Sequence, residues 1–446
     1  MVSKAATGPD PRRASRRRRN VRWTLGALLL PLVALAGWHV IQLTRTFAGR
    51  LAYPMELEWM EGGQLYHAYR LLHGLPLYGP CVDGFIPFPY PPVHSVVVAG
   101  VGAVVGLDFW VARLVSVSAF TIACAVLCRE VAQTWRHGAR RWMMVLLAAG
   151  ALAGSFPYTG AWYDLVRVDS VFIAFLFGGA AVSLPPGQDG AVRRRPSPLR
   201  IAVCAGLLCG ALFSKQTAVF FLPWICLFAI WRDWRSGLWL TGAVATLSLA
   251  VLGLLQWSSD GLFWTFMVGV MSRHELIIYQ TITSALRILM LEPYLPLIGL
   301  LALWLWRKGK LRTRVAFWTG MLAAALVASL VTTSKTAAAS NNLMTGVLLG
   351  GPVALMVVHD LLAAMPRRHL ARWLSATGLT VVALMLFQAQ VFRPDMYVPP
   401  PHRWAAARAF NELVASLEGG VVIPAHSFAA IRHGNQNGQM HEQGHV

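Results

Sequence analysis

Apolar runs and short basic clusters alternate along this chain from residue 12 to residue 391. A helix needs about 20 consecutive apolar residues to cross a bilayer. Runs of that kind cover 22–43, 109–131, 142–160, 169–186, 200–213, 217–231, 237–257, 291–306, 315–333, 343–362 and 373–391. Two of them, 200–213 and 217–231, are short for a crossing. The basic clusters lie at Arg12 to Arg22, Arg136 to Arg141, Arg193 to Arg200, Arg232 to Arg235, Arg307 to Arg314 and Arg367 to Arg372. Lipid offers no partner to open backbone, so a chain of this pattern is expected to be all-α and polytopic. Only 13% of its residues are charged, about half the usual ~25% of a soluble chain. That excludes a disordered chain and speaks against a soluble enzyme.

The positive-inside rule places the clusters in the cytoplasm. That side then holds 26 of the 39 Lys and Arg with five acids, and the other side holds 13 cations with 14 acids. The net charge of +20 is therefore a topology signal, and no nucleic-acid partner is expected. Residues 93–107 are apolar but only 15 long. A crossing there would put the Arg136 cluster outside, so a re-entrant or interfacial helix is expected. About eleven transmembrane helices result, in a domain covering 22–391. Residues 1–21 form a basic cytoplasmic tail. Residues 392–446 form an extracytoplasmic tail with a helix-like stretch from Arg403 to Leu417 and a strand-like run from Gly420 to Pro424, an α/β-like pattern.

The start does not read as a cleavable signal peptide, because its basic region is long and no small-residue cleavage site follows the apolar run. Phosphate-loop, dinucleotide and zinc-type cysteine motifs are absent from the sequence. Of six cysteines only Cys81 falls in an outer loop, so free buried thiols are expected.

The spans are nearly free of ionisable residues, and the unusual polar groups fall at their outer ends and in outer loops. A transporter holds such groups inside the bundle; this distribution suits chemistry at the outer face. The loop 44–92 carries Glu56, Glu58 and Glu61 just before an amphipathic helix, Gln64 to His73. Crowded carboxylates repel, so at least one should have a raised pKa. Such a group can take a proton from a hydroxyl, or pair with another around a divalent cation. The plain alternative is a solvated acidic loop. The run FIPFPYPP, with Tyr90, is expected to lie rigid and extended along the interface.

The loop 160–170 carries Asp164, Arg167 and Asp169. Asp169 either caps the helix it opens or acts in the site. Arg167 is its ion-pair partner or an anion ligand. Lys215, in Ser214-Lys215-Gln216-Thr217, lies between two short half-spans, where a lysine is costly unless it meets an anion. Arg273 and His274 lie in an amphipathic segment, 258–290, and Lys335 with Asn341 and Asn342 fills a third loop. Lys and Arg grip phosphate, and Asn both donates and accepts hydrogen bonds of the sugar type.

These residues resemble the multi-spanning GT-C glycosyltransferases, especially the bacterial branch related to protein O-mannosyltransferases and lipid A aminoarabinose transferases. The resemblance rests on the first-loop acids followed by a helix, Gly74, Leu77-Tyr78, Tyr90-Pro91-Pro92, Gly106 with Arg113, Asp169, Ser214-Lys215-Gln216-Thr217, and Ser334-Lys335 with Asn341-Asn342. It covers most of residues 20–360, in order, and its weight lies in that order. It implies a GT-C-like fold, with active-site loops 44–92 and 160–170, in a bacterial inner membrane. It implies a polyprenyl-phosphate sugar donor, and a lipid, glycan or protein acceptor. The family's first-loop acid carries over to Glu61, with Glu58 as the neighbouring alternative, and the second-loop acid carries over to Asp169.

Glu61, Glu58 and Asp169 are thus the expected catalytic residues. Glu56, Tyr90, Asp164, Arg167, Lys215, Arg273, His274, Lys335, Asn341 and Asn342 are the expected substrate contacts. No metal ligand set is assigned beyond a divalent cation at the first-loop carboxylates. The expected reaction is a single inverting displacement, with Glu58 or Glu61 as base and Arg167, Lys215 and Lys335 facing the phosphate. A rival class, a transporter or flippase of a lipid-linked sugar, predicts broken helices or charges at mid-membrane. A second rival, a scaffold, predicts indifference to neutralised outer acids.

Overall fold

A computed structural model describes residues 11–433, except 82–84, 137, 185–195, 337, 366–382, 384–386, 388–389, 419–420, 422, 424–425 and 427, with side chains from residue 30 onward. Most of the run 373–391, most of 420–424, Arg193 to Arg195 and the cluster at Arg367 lie outside the described residues. Within them the chain is helical, and no strand is present. The one extended pairing described is an isolated bridge between Leu276 and Lys335.

The helices are α1 (Pro11–Leu51), α2 (Glu61–Leu72), α3 (Val93–Val105), α4 (Phe109–Thr134), α5 (Gly138–Gly154), α6 (Val168–Ser183), α7 (Pro198–Leu212) and α8 (Leu222–Arg232). They continue with α9 (Trp234–Ser258), the short α10 (Leu262–Trp264), α11 (Ile278–Leu291), α12 (Leu295–Arg307), α13 (Thr313–Thr333), α14 (Met344–Ala364), α15 (Pro401–Ser416) and α16 (Ala429–Arg432). Local signals fix their ends. Asp108 accepts from the Phe109 N–H at 2.6 Å and caps α4. Ser197 caps α7, with Pro198 at its first position. Gly106 ends α3 at φ +87°, a conformation that favours glycine.

Among the described residues four helices are long and apolar enough to cross a membrane: 109–134, 234–258, 313–333 and the continuous 340–364 segment. The pair α11 and α12 would make a fifth, but it is bent by 80° at a break that carries Glu292. Shorter apolar helices, α3, α6, α7 and the segment from Gln216 through α8, pack around these. At about 1.5 Å per residue α3 spans roughly 20 Å, too little to cross. On α9, exposed Trp234 and Trp239 stand near one end, and Trp257, with Trp264 just beyond, near the other. That is the aromatic girdle of two membrane interfaces.

The core lies among α1, α4, α5, α6, α13 and α14, filled by Phe120, Tyr163, Phe177, Trp318 and Met356. At the Arg-rich end, buried Glu130 of α4 accepts from Arg314 and from Trp318 Nε1, the latter at 2.9 Å. Asp360 of α14 accepts from Arg312 Nε at 2.5 Å. These bonds clamp α4, α13 and α14 together. Between α1 and α5 the clamp is steric. A Cβ on Gly150 would lie 2.4 Å from Ala36 Cβ and 2.5 Å from its Cα. Backbone cannot yield as a side chain can, so Gly150→Ala should destabilise the bundle by about 1–3 kcal/mol. The check is a lower unfolding temperature in lipid with helix content retained.

The opposite end of the bundle carries the first loop, the second loop and the described part of the tail. Phe428 is buried edge-on against Phe109 at 5.9 Å. Arg432 reaches Asp108 at 2.7 Å and the Pro54 carbonyl at 2.9 Å. The tail therefore roofs the first loop.

Candidate functional site

One buried ion pair organises the loops. Arg113 lies one turn into α4 and is fully buried. Its Nε donates to Glu61 Oε1 at 3.1 Å and its Nη2 to Oε2 at 2.7 Å. The same guanidinium donates to the carbonyls of Tyr53 and Met55, each at 2.6 Å. Glu61 opens α2 and also accepts from the N–H groups of Leu57 (2.6 Å) and Val166 (2.8 Å). Burial would raise its pKa, but Arg113 and those two N–H groups outweigh it and hold the carboxyl below the usual range. Four hydrogen bonds fill the capacity of an ionised carboxylate, and Glu61 has no exposed surface. The expectation that put Glu61 first among proton acceptors does not fit these surroundings. Its geometry is that of a strut joining the first loop, α4 and the second loop.

Glu58 is different. Its Oε2 accepts from Arg167 Nη1 at 3.0 Å and from the Met60 N–H at 3.2 Å. Its Oε1 makes no hydrogen bond among the described residues. The side chain is 12% exposed. Burial raises its pKa, with Arg167 and the Met60 N–H opposing. Arg167 sits at the start of α6, donates from Nη2 to the Tyr90 hydroxyl at 2.8 Å and lies 4.6 Å over the Trp162 ring. Its Nε is buried without a partner among the described residues.

Two residues on, Asp169 faces a second cluster. Its Oδ1 accepts from Lys215 Nζ at 2.6 Å, and Asn341 Nδ2 lies 3.1 and 3.2 Å from its two oxygens. Lys215 also donates to Asn342 Oδ1 at 3.1 Å. Arg167, and not Asp169, stands at the N-cap of α6. Asp169, Lys215, Thr217, Asn341, Asn342 and Thr345 line a small pocket. The break between α7 and the turn at 216–220 brings Lys215 there. Gln216 Nε2 donates to the Pro89 carbonyl at 2.7 Å, which ties that break to the FIPFPYPP segment. The chain thus brings Glu58, Tyr90, Arg167, Asp169, Lys215, Asn341 and Asn342 to one end of the bundle.

Other expected contacts lie elsewhere. Asp164 pairs with Arg50 Nε at 3.1 Å, towards α1, and burial pushes its carboxyl up to about 6 against the pull of Arg50. Glu56 Oε2 meets His426 Nδ1 of the tail at 2.7 Å. Lys335 Nζ donates to the Met271 carbonyl at 3.0 Å, and His274 Nδ1 lies 3.2 Å from the Thr336 carbonyl. Arg273 is exposed beside them. These three form a patch of their own. Glu56, Glu58 and Glu61 diverge, each to a different basic partner. Among the described residues no group of His, Cys, Asp and Glu is arranged to hold a metal ion.

Sequence reasoning gave Arg113 and Arg50 no site role and passed over His94. Arg113 stands in the sequence as the one cation in the first half of an apolar run, far from the Arg129 end, which is the signal for a buried partner.

The described helices thus form a bundle with a polar, cation-bearing site at one end. Among solved structures the chain is similar to ArnT from Cupriavidus metallidurans in its apo state, with a TM-score of 0.56 and 13% identity over 90% of this chain and 85% of that one. It is likewise similar to the same protein bound to undecaprenyl phosphate, with a TM-score of 0.51 and 13% identity over 87% of this chain and 66% of that one. At this identity the likeness shows the fold. No protein-family model matches the chain, and no curated protein matches it in sequence.

Proposed function

We infer that the chain is a glycosyltransferase that moves a sugar from a polyprenyl-phosphate donor to a hydroxyl-bearing lipid, glycan or protein, at the outer face of a bacterial inner membrane. The observation that carries this is the junction of Glu58, partly open, with two buried cations, Arg167 and Lys215, on either side of Asp169. The shared fold with a protein that binds undecaprenyl phosphate supports the donor class. In this reading the chain crosses about eleven times, and the loop end faces outward.

The donor phosphate lies on Arg167 and Lys215. It draws Arg167 away from Glu58 and so releases the carboxylate to face the acceptor. The acceptor oxygen attacks the anomeric carbon, and the bond from that carbon to the phosphate oxygen breaks with its electron pair going to the phosphate. The hydroxyl proton passes to Glu58, and the anomeric centre inverts. The base supplies proton transfer, and the cations stabilise the charge that develops on the leaving phosphate. Asp169 and Asn342 hold Lys215 in place, and Asn341 braces Asp169. Lys335, Arg273 and His274 have no step in this scheme, since they sit on a separate patch.

Purified protein in lipid, offered radiolabelled polyprenyl-phosphate sugars together with a bacterial membrane extract as acceptor source, should transfer sugar from at least one of them. Tight binding of a donor with no transfer would sink the reading. One observation favours a second reading, transport of the lipid-linked sugar: the 80° break between α11 and α12 with buried Glu292 at its corner. Reconstituted vesicles separate the two, because a transporter moves the lipid across with its sugar bond intact.

A further inference from the structure

His94 is fully buried, and neither of its ring nitrogens has a hydrogen-bond partner among the described residues. Two anchors fix its place. It follows Val93, whose N–H donates to the Phe213 carbonyl at 2.9 Å, two residues before Lys215. It stands four residues after Tyr90, whose hydroxyl holds Arg167. Arg167 and Asp169 are the charged members of the site that act on its ring. These anchors place His94 beside the site, with its chain neighbours tied to Phe213 on one side and Arg167 on the other.

Around it Tyr90 is paired with Arg167, and Asp169 with Lys215 and Asn341, so that beside His94 itself only Arg167 Nε of these groups is left open among the described residues. Buried polar groups in folded proteins are nearly always hydrogen-bonded, and an exception calls for an explanation. A neutral imidazole donates from one nitrogen and accepts at the other. Burial and a neighbouring guanidinium both favour that neutral form. A phosphate, which only accepts, would engage one nitrogen and is already matched by Arg167 and Lys215. A hydroxyl both donates and accepts, so hydroxyl groups match both sides of the ring.

We propose that His94 touches the substrate, its two ring nitrogens pairing with hydroxyl groups of the sugar whose phosphate lies on Arg167 and Lys215. This rests on the function inferred above. The acceptor hydroxyl has the same chemistry, and the experiment distinguishes the two sources.

The test compares full-length wild type with His94→Phe and His94→Asn in lipid. Four quantities are read: unfolding temperature without ligand, binding of bare polyprenyl phosphate, binding of the sugar-bearing lipid, and transfer. His94→Phe removes two orphaned nitrogens, so it should unfold at or slightly above the wild-type temperature. Bare polyprenyl phosphate should bind within about twofold of wild type, while the sugar-bearing lipid binds about tenfold more weakly. His94→Asn keeps a donor and an acceptor and should recover part of that loss. Unchanged binding of the sugar-bearing lipid with a tenfold higher KM for the acceptor would assign the hydroxyl to the acceptor, with His94 still on the substrate.

Wild-type binding and transfer in both variants would overturn the proposal. So would equal weakening of both lipids alongside a lower unfolding temperature, the mark of a residue that only packs. Wild type failing to bind bare polyprenyl phosphate would remove the inferred function itself, and His94's role with it, without reference to either variant.

Discussion

Glu58→Gln should lower transfer by about a hundred- to ten-thousand-fold, the range for loss of a general base, with a modest fall in unfolding temperature because Arg167 loses its charged partner. Glutamine has the same shape and still accepts from the Met60 N–H, but it cannot take the hydroxyl proton. The pH profile of wild type carries a second part of this expectation. Glu58 acts only when ionised, and burial raises its pKa above the usual carboxylate range. Activity is therefore full above that raised pKa and falls as pH drops through it. The fall should begin at a higher pH than an exposed glutamate would give, and the glutamine variant's residual rate should lack that limb. A Glu58→Gln enzyme that transfers at the wild-type rate would remove Glu58 from the mechanism.

The second large effect is on stability. Arg113→Ala leaves Glu61 charged, buried and stripped of its main partner, and frees the carbonyls of Tyr53 and Met55. Breaking one side of a buried pair costs about 3–5 kcal/mol. The variant should unfold far below wild type or fail to accumulate. Glu61→Gln should show a milder loss, and its activity per folded molecule should stay near wild type. The double variant Arg113→Met/Glu61→Leu should be more stable than Arg113→Ala, because no charge is left uncompensated. Thermal unfolding in lipid with transfer measured on the same sample decides it. A Glu61→Gln protein with wild-type stability and no transfer would return the base role to Glu61.

The contrast between these two glutamates shows what the sequence could reveal. Hydropathy placed helices over the runs at 109–131, 237–257, 315–333 and 343–362, because a span leaves the backbone no alternative. The side on which the Arg136 cluster must fall, together with the short length of 93–107, kept α3 from being read as a crossing. The gathering of Asp169, Lys215, Asn341 and Asn342 was legible as residue types at loop ends. Which of Glu58 and Glu61 faces the site was not legible. That depends on where Arg113 and Arg167 arrive, 52 and 109 residues further along the chain. His94 was missed for the same reason. A histidine in an apolar run is ordinary until its neighbours are known to leave both nitrogens unpaired. The boundary read between the amphipathic segment 258–290 and the run from 291 falls within two residues of the break at Glu292, but the 80° bend there was not legible.

The roof over the first loop has a consequence for biogenesis. Glu56 meets His426 across 370 residues of chain, and Phe428 closes on Phe109 in the same place. When the ribosome has delivered the first loop to the membrane, the segment that will cover it has not yet been made. Every later span must be inserted first. The loop waits uncovered through most of synthesis, and its contacts with the tail are among the last to form. Ribosome-released intermediates ending before residue 401 should therefore hold their helices in the bilayer while the first loop remains open to protease.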